Sequence, residues 1–327
     1  MNRGSFRPAW WLPSPHLQTL WPSFFRTRLA LEGRWERVEL ADGDFIDLVW
    51  YRQGDRPLVL VIHGLEGSLR SHYVTPTLAA LDRHGFDTVF MHLRGCSGEP
   101  NRLARGYHSG ATEDLAEVLG HLDSHGRRPA AAVGFSLGGN LLLKYLGEEG
   151  EGALLRAAVA VSVPFRLWRA AARLEQGASR LYGRHLLVGL KRSYRRKAAV
   201  VEMPFTVDLH RLTTLYEFDD AITAPLHGFA GADDYYHRCS SCHFIPRVVI
   251  PTRIIHALDD PFMYPEDVPG EKDLGPGVGL ELARHGGHVG FVTGSASGAA
   301  RYWLDAAIPR AVTDLLAAGG NEPFRSG

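Results

Sequence analysis

Hydrophobic positions change their rhythm along this chain. Residues 35–40 (WERVEL) and 45–51 (FIDLVWY) flank the turn signal Asp42-Gly43-Asp44 and predict an antiparallel hairpin. Beyond it, short continuous apolar runs take over at 58–62 (LVLVI), 88–91 (TVFM), 130–133 (AAAV), 157–163 (AAVAVSV) and 252–255 (TRII), with a candidate last strand at 278–282 (VGLEL). Helix-period patterns separate most of them, as at 111–123 and 137–148. Strands apolar on both faces must be covered on both, so the alternation predicts an α/β fold: a mostly parallel twisted sheet between layers of helices. Two stretches depart from it. Residues 1–34 form an arm rich in aromatic residues and proline, where Pro13, Pro15 and Pro22 argue against a regular amphipathic helix. Residues 164–235 are too long for one crossover and helical in pattern; they predict a helical cap inserted into a core made of 35–163 and 236–327.

Charge and composition then remove several classes. Of 327 residues 45% are hydrophobic, enough for a large core, and 36 Lys+Arg balance 36 Asp+Glu, which gives no general attraction to nucleic acid. Three cysteines do not make a disulfide framework. No apolar run approaches the roughly 20 residues that span a bilayer, and the arm is broken before a signal-peptide stretch can form, so a cytoplasmic location is expected. Charge is segregated within the cap. Between Arg166 and Lys197 stand ten Lys/Arg and only Glu175, whereas Glu202 to Asp234 holds seven acids against Arg211. Either the two stretches neutralise each other, or the first is a basic lip that attracts anionic substrates or lipid head groups. The arm's Trp10, Trp11, Trp21, Phe24 and Phe25 pose a related choice between packing on the body and peripheral membrane contact. Packing is the adopted reading, since a bare cluster would be a large exposed patch.

Gly134-Phe135-Ser136-Leu137-Gly138 carries the chemistry. An apolar run precedes it and a helical pattern follows, the strand–turn–helix setting in which G-x-S-x-G exposes a nucleophilic serine. His63-Gly64-Leu65-Glu66-Gly67, after the run 58–62, is placed to supply an oxyanion N–H; the backbones of Leu65 and Leu137 are the candidates. In this architecture the order is serine, acid, histidine. The acid falls in Leu258-Asp259-Asp260-Pro261, where Asp260 is preferred and Asp259 is the alternative, the unchosen one capping the turn. The base is assigned to His288, in the glycine-rich Gly286-Gly287-His288-Val289-Gly290, with His285 as rival. His63 and His256 are read as hydrogen-bonded structural histidines.

With these residues in hand, the chain resembles the YheT-type bacterial hydrolases, relatives of eukaryotic α/β-hydrolase-domain lipases. The resemblance rests on WWLPSPHLQTLWP, HGLEGSLRSHYV, RGCSGEPNRLARGYHSGATEDL, GFSLGGNLLLKYLGE, FDDAITAPLHGF, ALDDPFM and HGGHVGF. It implies an α/β-hydrolase fold, carboxylic-ester hydrolysis through Ser136, Asp260 and His288, and a loop beside the site shaped by Arg94, His108 and Thr112. The segment Arg238-Cys239-Ser240-Ser241-Cys242-His243 departs from the family; it formally offers a haem or zinc motif, and two thiols on a loop is the default. The expected function is therefore a serine esterase acting on a small-molecule or lipid ester, with no metal and no cofactor. An acyltransferase using the same triad is the alternative. A non-catalytic binding module is a third reading, against which a complete triad in order argues.

Overall fold

The computed structural model describes residues 2–3, 6–27, 29, 32–295 and 298–318. Among the described residues nine strands build one sheet: β1 (Asn2–Arg3), β2 (Arg34–Glu39), β3 (Phe45–Arg52), β4 (Leu58–Ile62), β5 (Asp87–Met91), β6 (Ala131–Phe135), β7 (Ala157–Val161), β8 (Thr252–Ala257) and β9 (Val278–Ala283). Their order across the sheet is β1-β9-β8-β7-β6-β4-β5-β3-β2. The predicted hairpin β2–β3 is antiparallel and joins β5 antiparallel, while β4 through β9 and β1 run parallel. A separate ribbon pairs β10 (Val292–Gly294) with β11 (Ala300–Tyr302).

Alternation along each strand sorts the core into two layers. Val59 and Val61 point to one face, where they join Leu78 of α2 (Val74–Arg83) and Ile308 of α10 (Leu304–Ala318). Leu58, Leu60 and Ile62 point to the other and meet Leu119 of α3 (Thr112–Ser124) and Leu142 of α4 (Leu137–Glu149). Residues 164–239 fold mainly as helices: α5 (Leu167–Arg173), α6 (Arg180–Ala198), α7 (Leu215–Phe218), α8 (Ala224–Leu226) and α9 (Ala232–Cys239). A π-turn, Asp219–Thr223, joins α7 to α8. These helices hold apolar clusters of their own, one around Leu174, Leu187, Leu212 and Phe218.

The arm departs from its expected irregularity. It contributes β1 to the sheet edge and a helix, α1 (Pro15–Phe25). Pro15 occupies the first helical turn, where a missing N–H is no loss. Pro22 cannot donate to the Gln18 carbonyl one turn back, and that carbonyl meets Gly290 so closely that a Cβ there would lie 2.2 Å from it. Burial of the arm is also only half of what was expected. Gln18, Thr19 and Pro22 are buried, yet Trp10, Phe24 and Phe25 are 81%, 74% and 64% exposed. Among the described residues no helix is long and apolar enough to cross a membrane.

Candidate active site

Ser136 stands between β6 and α4 with φ 51° and ψ −117°, a left-handed backbone that a non-glycine residue holds only when its surroundings fix it. They do: its N–H donates to Val161 O at 2.8 Å, and the helix behind it packs so closely that a Cβ on Gly138 would lie 2.4 Å from His63 O. The other non-glycine residues with positive φ among the described residues are Glu66, Ser162, Val289 and Phe291. Each lies in a loop at the ends of β4, β7 or β9. Strain is thus gathered at one end of the sheet.

Three loops converge there. The Ser136 hydroxyl and His288 Nε2 are 3.1 Å apart, and His288 Nδ1 lies 2.8 Å from Asp260 Oδ2. The second Asp260 oxygen accepts from the Phe262 N–H at 2.9 Å, so the carboxylate is fixed at both ends. The Phe262 ring stacks on the imidazole, 3.9 Å between centroids and 5° from parallel. Thr19 of α1 accepts the His288 N–H at 2.9 Å, and Ser162 accepts the Val289 N–H at 3.1 Å. The preferred acid and base are therefore the ones brought to the serine. Their rivals pair with each other: Asp259 lies 3.2 Å from His285 Nδ1 and accepts the Gly287 N–H at 3.0 Å. Asp259 caps the histidine loop rather than its own turn.

Beside the serine, the loop after β4 is pinned by two phenols. Tyr73 accepts the Gly64 N–H at 2.9 Å, and Tyr107 accepts the Glu66 N–H at 2.8 Å. Leu65 lies between them, and Leu137 holds the first position of α4, where helical N–H groups lack an intrahelical acceptor. His63 Nε2 accepts the Leu93 N–H and its Nδ1 donates to Gly64 O, which makes it neutral; burial pushes its pKa down to about 3. His256 corrects the expectation of a hydrogen-bonded residue: it is buried against Phe165, its Nδ1 has no partner among the described residues, and burial lowers its pKa to about 4.

The triad opens into a cleft of about 880 Å³. Its walls combine α1 (Leu20, Phe24), α5 (Leu167, Ala171) and α6 (Leu181, Leu186, Leu190), so they are largely apolar. Among the described residues no hydrogen bond or ion pair links Arg94, His108 or Thr112 to Ser136, Asp260 or His288. Arg94 is buried against Asp114 at 2.7 Å and Asp44 at 3.0 Å, and Thr112 donates to Glu148 at 2.6 Å. They set the base of the 94–112 loop. Cys239 is no loop thiol either; it ends α9, buried, 3.9 Å from His108 Nδ1. Among the described residues no group of three or more His, Cys, Asp or Glu is placed to hold a metal ion.

A model of the α/β-hydrolase fold matches residues 57–295, a span containing the serine, acid, histidine and oxyanion loop. The chain belongs to the α/β-hydrolase family. Within that family it is 44% identical over 325 residues to Escherichia coli K12 YheT, an esterase by name, covering 97% of this chain and 95% of that one. It is 30% identical over 303 residues to the Bos taurus phospholipase ABHD3, covering 89% and 74% respectively. The solved Pyrococcus furiosus esterase Pf2001 superposes with a TM-score of 0.55 at 17% identity, over 88% of this chain and 93% of that one, a likeness of fold.

Other residues of this α/β-hydrolase site carried no local sequence signal. Thr19, Tyr73, Tyr107, Ser162 and Phe262 act on the triad or its flanking loops from helix α1 and four separate loop segments, and only the fold brings them together. Phe262 alone had a hint, its place just after the acid. The charges of residues 166–234 also behave differently from the neutralising reading. Arg166 and Arg169 pair with Asp267, outside the acidic stretch, and among the described residues no ion pair joins 166–197 to 202–234.

Proposed function

We propose that this protein is a serine carboxylic-ester hydrolase that works through an acyl-enzyme on Ser136. The observation that carries the reading is the unbroken hydrogen-bonded line from Ser136 through His288 to Asp260 at the foot of an apolar cleft. His288 Nε2 takes the hydroxyl proton as Oγ attacks the ester carbonyl, and Asp260 holds the tautomer that leaves Nε2 free to accept it. The Leu65 and Leu137 N–H groups hold the oxyanion. His288 then gives its proton to the departing alcohol; water enters, loses a proton to His288 as it attacks the acyl carbon, and His288 returns that proton to Ser136 Oγ as the acyl–oxygen bond breaks and the acid leaves. The names of the relatives, an esterase and a phospholipase, support an ester substrate, and the apolar walls support an acyl chain as its buried part. Residues 164–235 serve as the cap, since α5 and α6 wall the cleft opposite the sheet.

A fluorophosphonate probe tests the nucleophile and p-nitrophenyl esters of graded chain length test the cleft. Labelling at Ser136 and release of free acid, even with glycerol present, are expected. Ser136→Ala should lower kcat by about 10⁶-fold with circular dichroism unchanged. Substantial turnover by a folded Ser136→Ala protein would move the nucleophile elsewhere; acyl-glycerol as main product would make the enzyme a transferase.

A further inference from the structure

Both elements at the mouth of the cleft leave an outer face uncovered. On α1, Leu17, Leu20 and Phe24 follow one helical stripe and are all exposed. On α6, Leu181, Arg184, Val188, Arg192 and Arg195 fall three, four, four and three residues apart, on one exposed face. The two helices are neighbours: His16 Nδ1 lies 3.1 Å from the Tyr182 hydroxyl, and Leu20, Phe24 and Leu181 line the same cleft. Helix α6 carries Arg180, Arg184, Lys191, Arg192, Arg195, Arg196 and Lys197 and no acid, and no acid stands between Phe6 and Arg26. Among the described residues none of those seven cations makes an ion pair; Lys197 is spent on the Arg105 carbonyl at 2.7 Å.

A surface of this make-up has unsatisfied positive charge around bare apolar side chains. A second protein surface would have to supply both acids and an apolar patch, whereas an anionic bilayer supplies negative head groups at its surface and hydrocarbon just beneath. Cations on one helix and aromatic or leucine side chains beside them are the two terms that add up in interfacial binding. We propose that the α1–α6 rim docks the protein on anionic phospholipid membranes, with Leu17, Phe24, Leu181 and Val188 entering the head-group region and Arg184, Arg192 and Arg195 meeting the phosphates. The cleft mouth would then face the lipid. The inference goes beyond the hydrolytic reading and does not rest on it, because binding can be read with Ser136→Ala protein.

Co-sedimentation of the full chain, as wild type and as Ser136→Ala, with phosphatidylglycerol and with phosphatidylcholine vesicles is the test. Binding to the first, weak binding to the second, and weakening with added salt are expected. Arg184→Glu/Arg192→Glu/Arg195→Glu should lower the partition coefficient about 100-fold or more, at roughly tenfold or less per charge removed, while p-nitrophenyl acetate hydrolysis stays at the wild-type rate. Leu17→Ser/Val188→Ser should also reduce binding, through the apolar term. Equal binding to both vesicle types, no binding at low salt, or binding untouched by the three charge reversals would overturn the proposal. So would a concentration-dependent dimer abolished by Leu17→Ser/Val188→Ser, which would assign the face to a second copy of the chain.

Discussion

Asp259 and Asp260 leave β8 side by side, and the single bond pattern each makes gives it a separate duty. Asp260 meets the imidazole at 2.8 Å, so Asp260→Asn should favour the wrong histidine tautomer and lower kcat by about 10⁴-fold. Asp259 holds the Gly287 N–H and His285, so Asp259→Asn should cost about 1 kcal/mol of stability and far less in rate. Steady-state kinetics and urea denaturation of the two variants check this, and a reversed order of kinetic penalties would refute it. Phe262 offers its ring face to His288, where a cation is favoured by about 0.5–2 kcal/mol, so Phe262→Leu should lower kcat roughly 2- to 30-fold. An unchanged kcat would show that the stack is packing alone. Ser136, Asp260 and His288 were readable from sequence because their geometry comes from local backbone, an elbow and two strand-end loops. The hydroxyls of Tyr73 and Tyr107 were not, because each reaches back to a loop amide that no local pattern marks, Gly64 nine residues earlier and Glu66 41 residues earlier.

Helix α1 shows where element-level reading runs out. The strands β4 to β7 announce themselves by largely apolar runs that two helical layers must cover, whereas β8 and β9 carry Arg253 and Glu281 within theirs. Prolines pointed the other way in the arm, yet tertiary contacts overrode them: Pro15 sits where no N–H is needed, and the carbonyl orphaned by Pro22 is met by the bare backbone of Gly290. The helix is tied down chiefly by Gln18, whose amide donates to Leu12 O at 2.9 Å and Val292 O at 3.0 Å while its oxygen accepts the Val292 N–H at 2.7 Å. Gln18→Leu removes three hydrogen bonds and strands the Leu12 carbonyl and the Val292 N–H, while Val292 O keeps the Ala9 N–H at 3.0 Å, so it should cost about 2–5 kcal/mol. Because Thr19 on the same helix holds the His288 N–H, short-chain ester turnover should fall as well. Thermal melting and p-nitrophenyl acetate kinetics measure both losses; an unchanged melting temperature would mean that α1 is not anchored as described.

Over the whole molecule, protonation sets a lower limit on the pH of use. His63, His92, His108 and His256 are buried, and burial holds all four neutral, with pKa values pushed down to about 3 for His63 and about 4 for His92 and His256. Unfolded, each takes a proton near pH 6.5, so below that pH the unfolded chain binds more protons than the native one. Stability should be complete above pH 6.5 and fall as the pH drops towards 5, by up to about 1.4 kcal/mol per pH unit for each histidine. Asp219, whose carboxyl burial pushes up to about 6, opposes this with one proton in the other direction. A urea midpoint lower at pH 5 than at pH 7.5 is expected, and an equal or higher one would contradict the assignment. Chain order adds a consequence for biosynthesis. The nucleophile, acid and base enter from β6, β8 and the loop after β9, in that sequence, and the base is held by α1 from the opposite end of the chain. A ribosome that has delivered the first 250 residues has made the serine and its elbow but neither the carboxylate nor the imidazole. The nascent enzyme therefore carries a dormant hydroxyl, and its esters are safe from it until the chain through His288 has emerged and that loop has folded against α1.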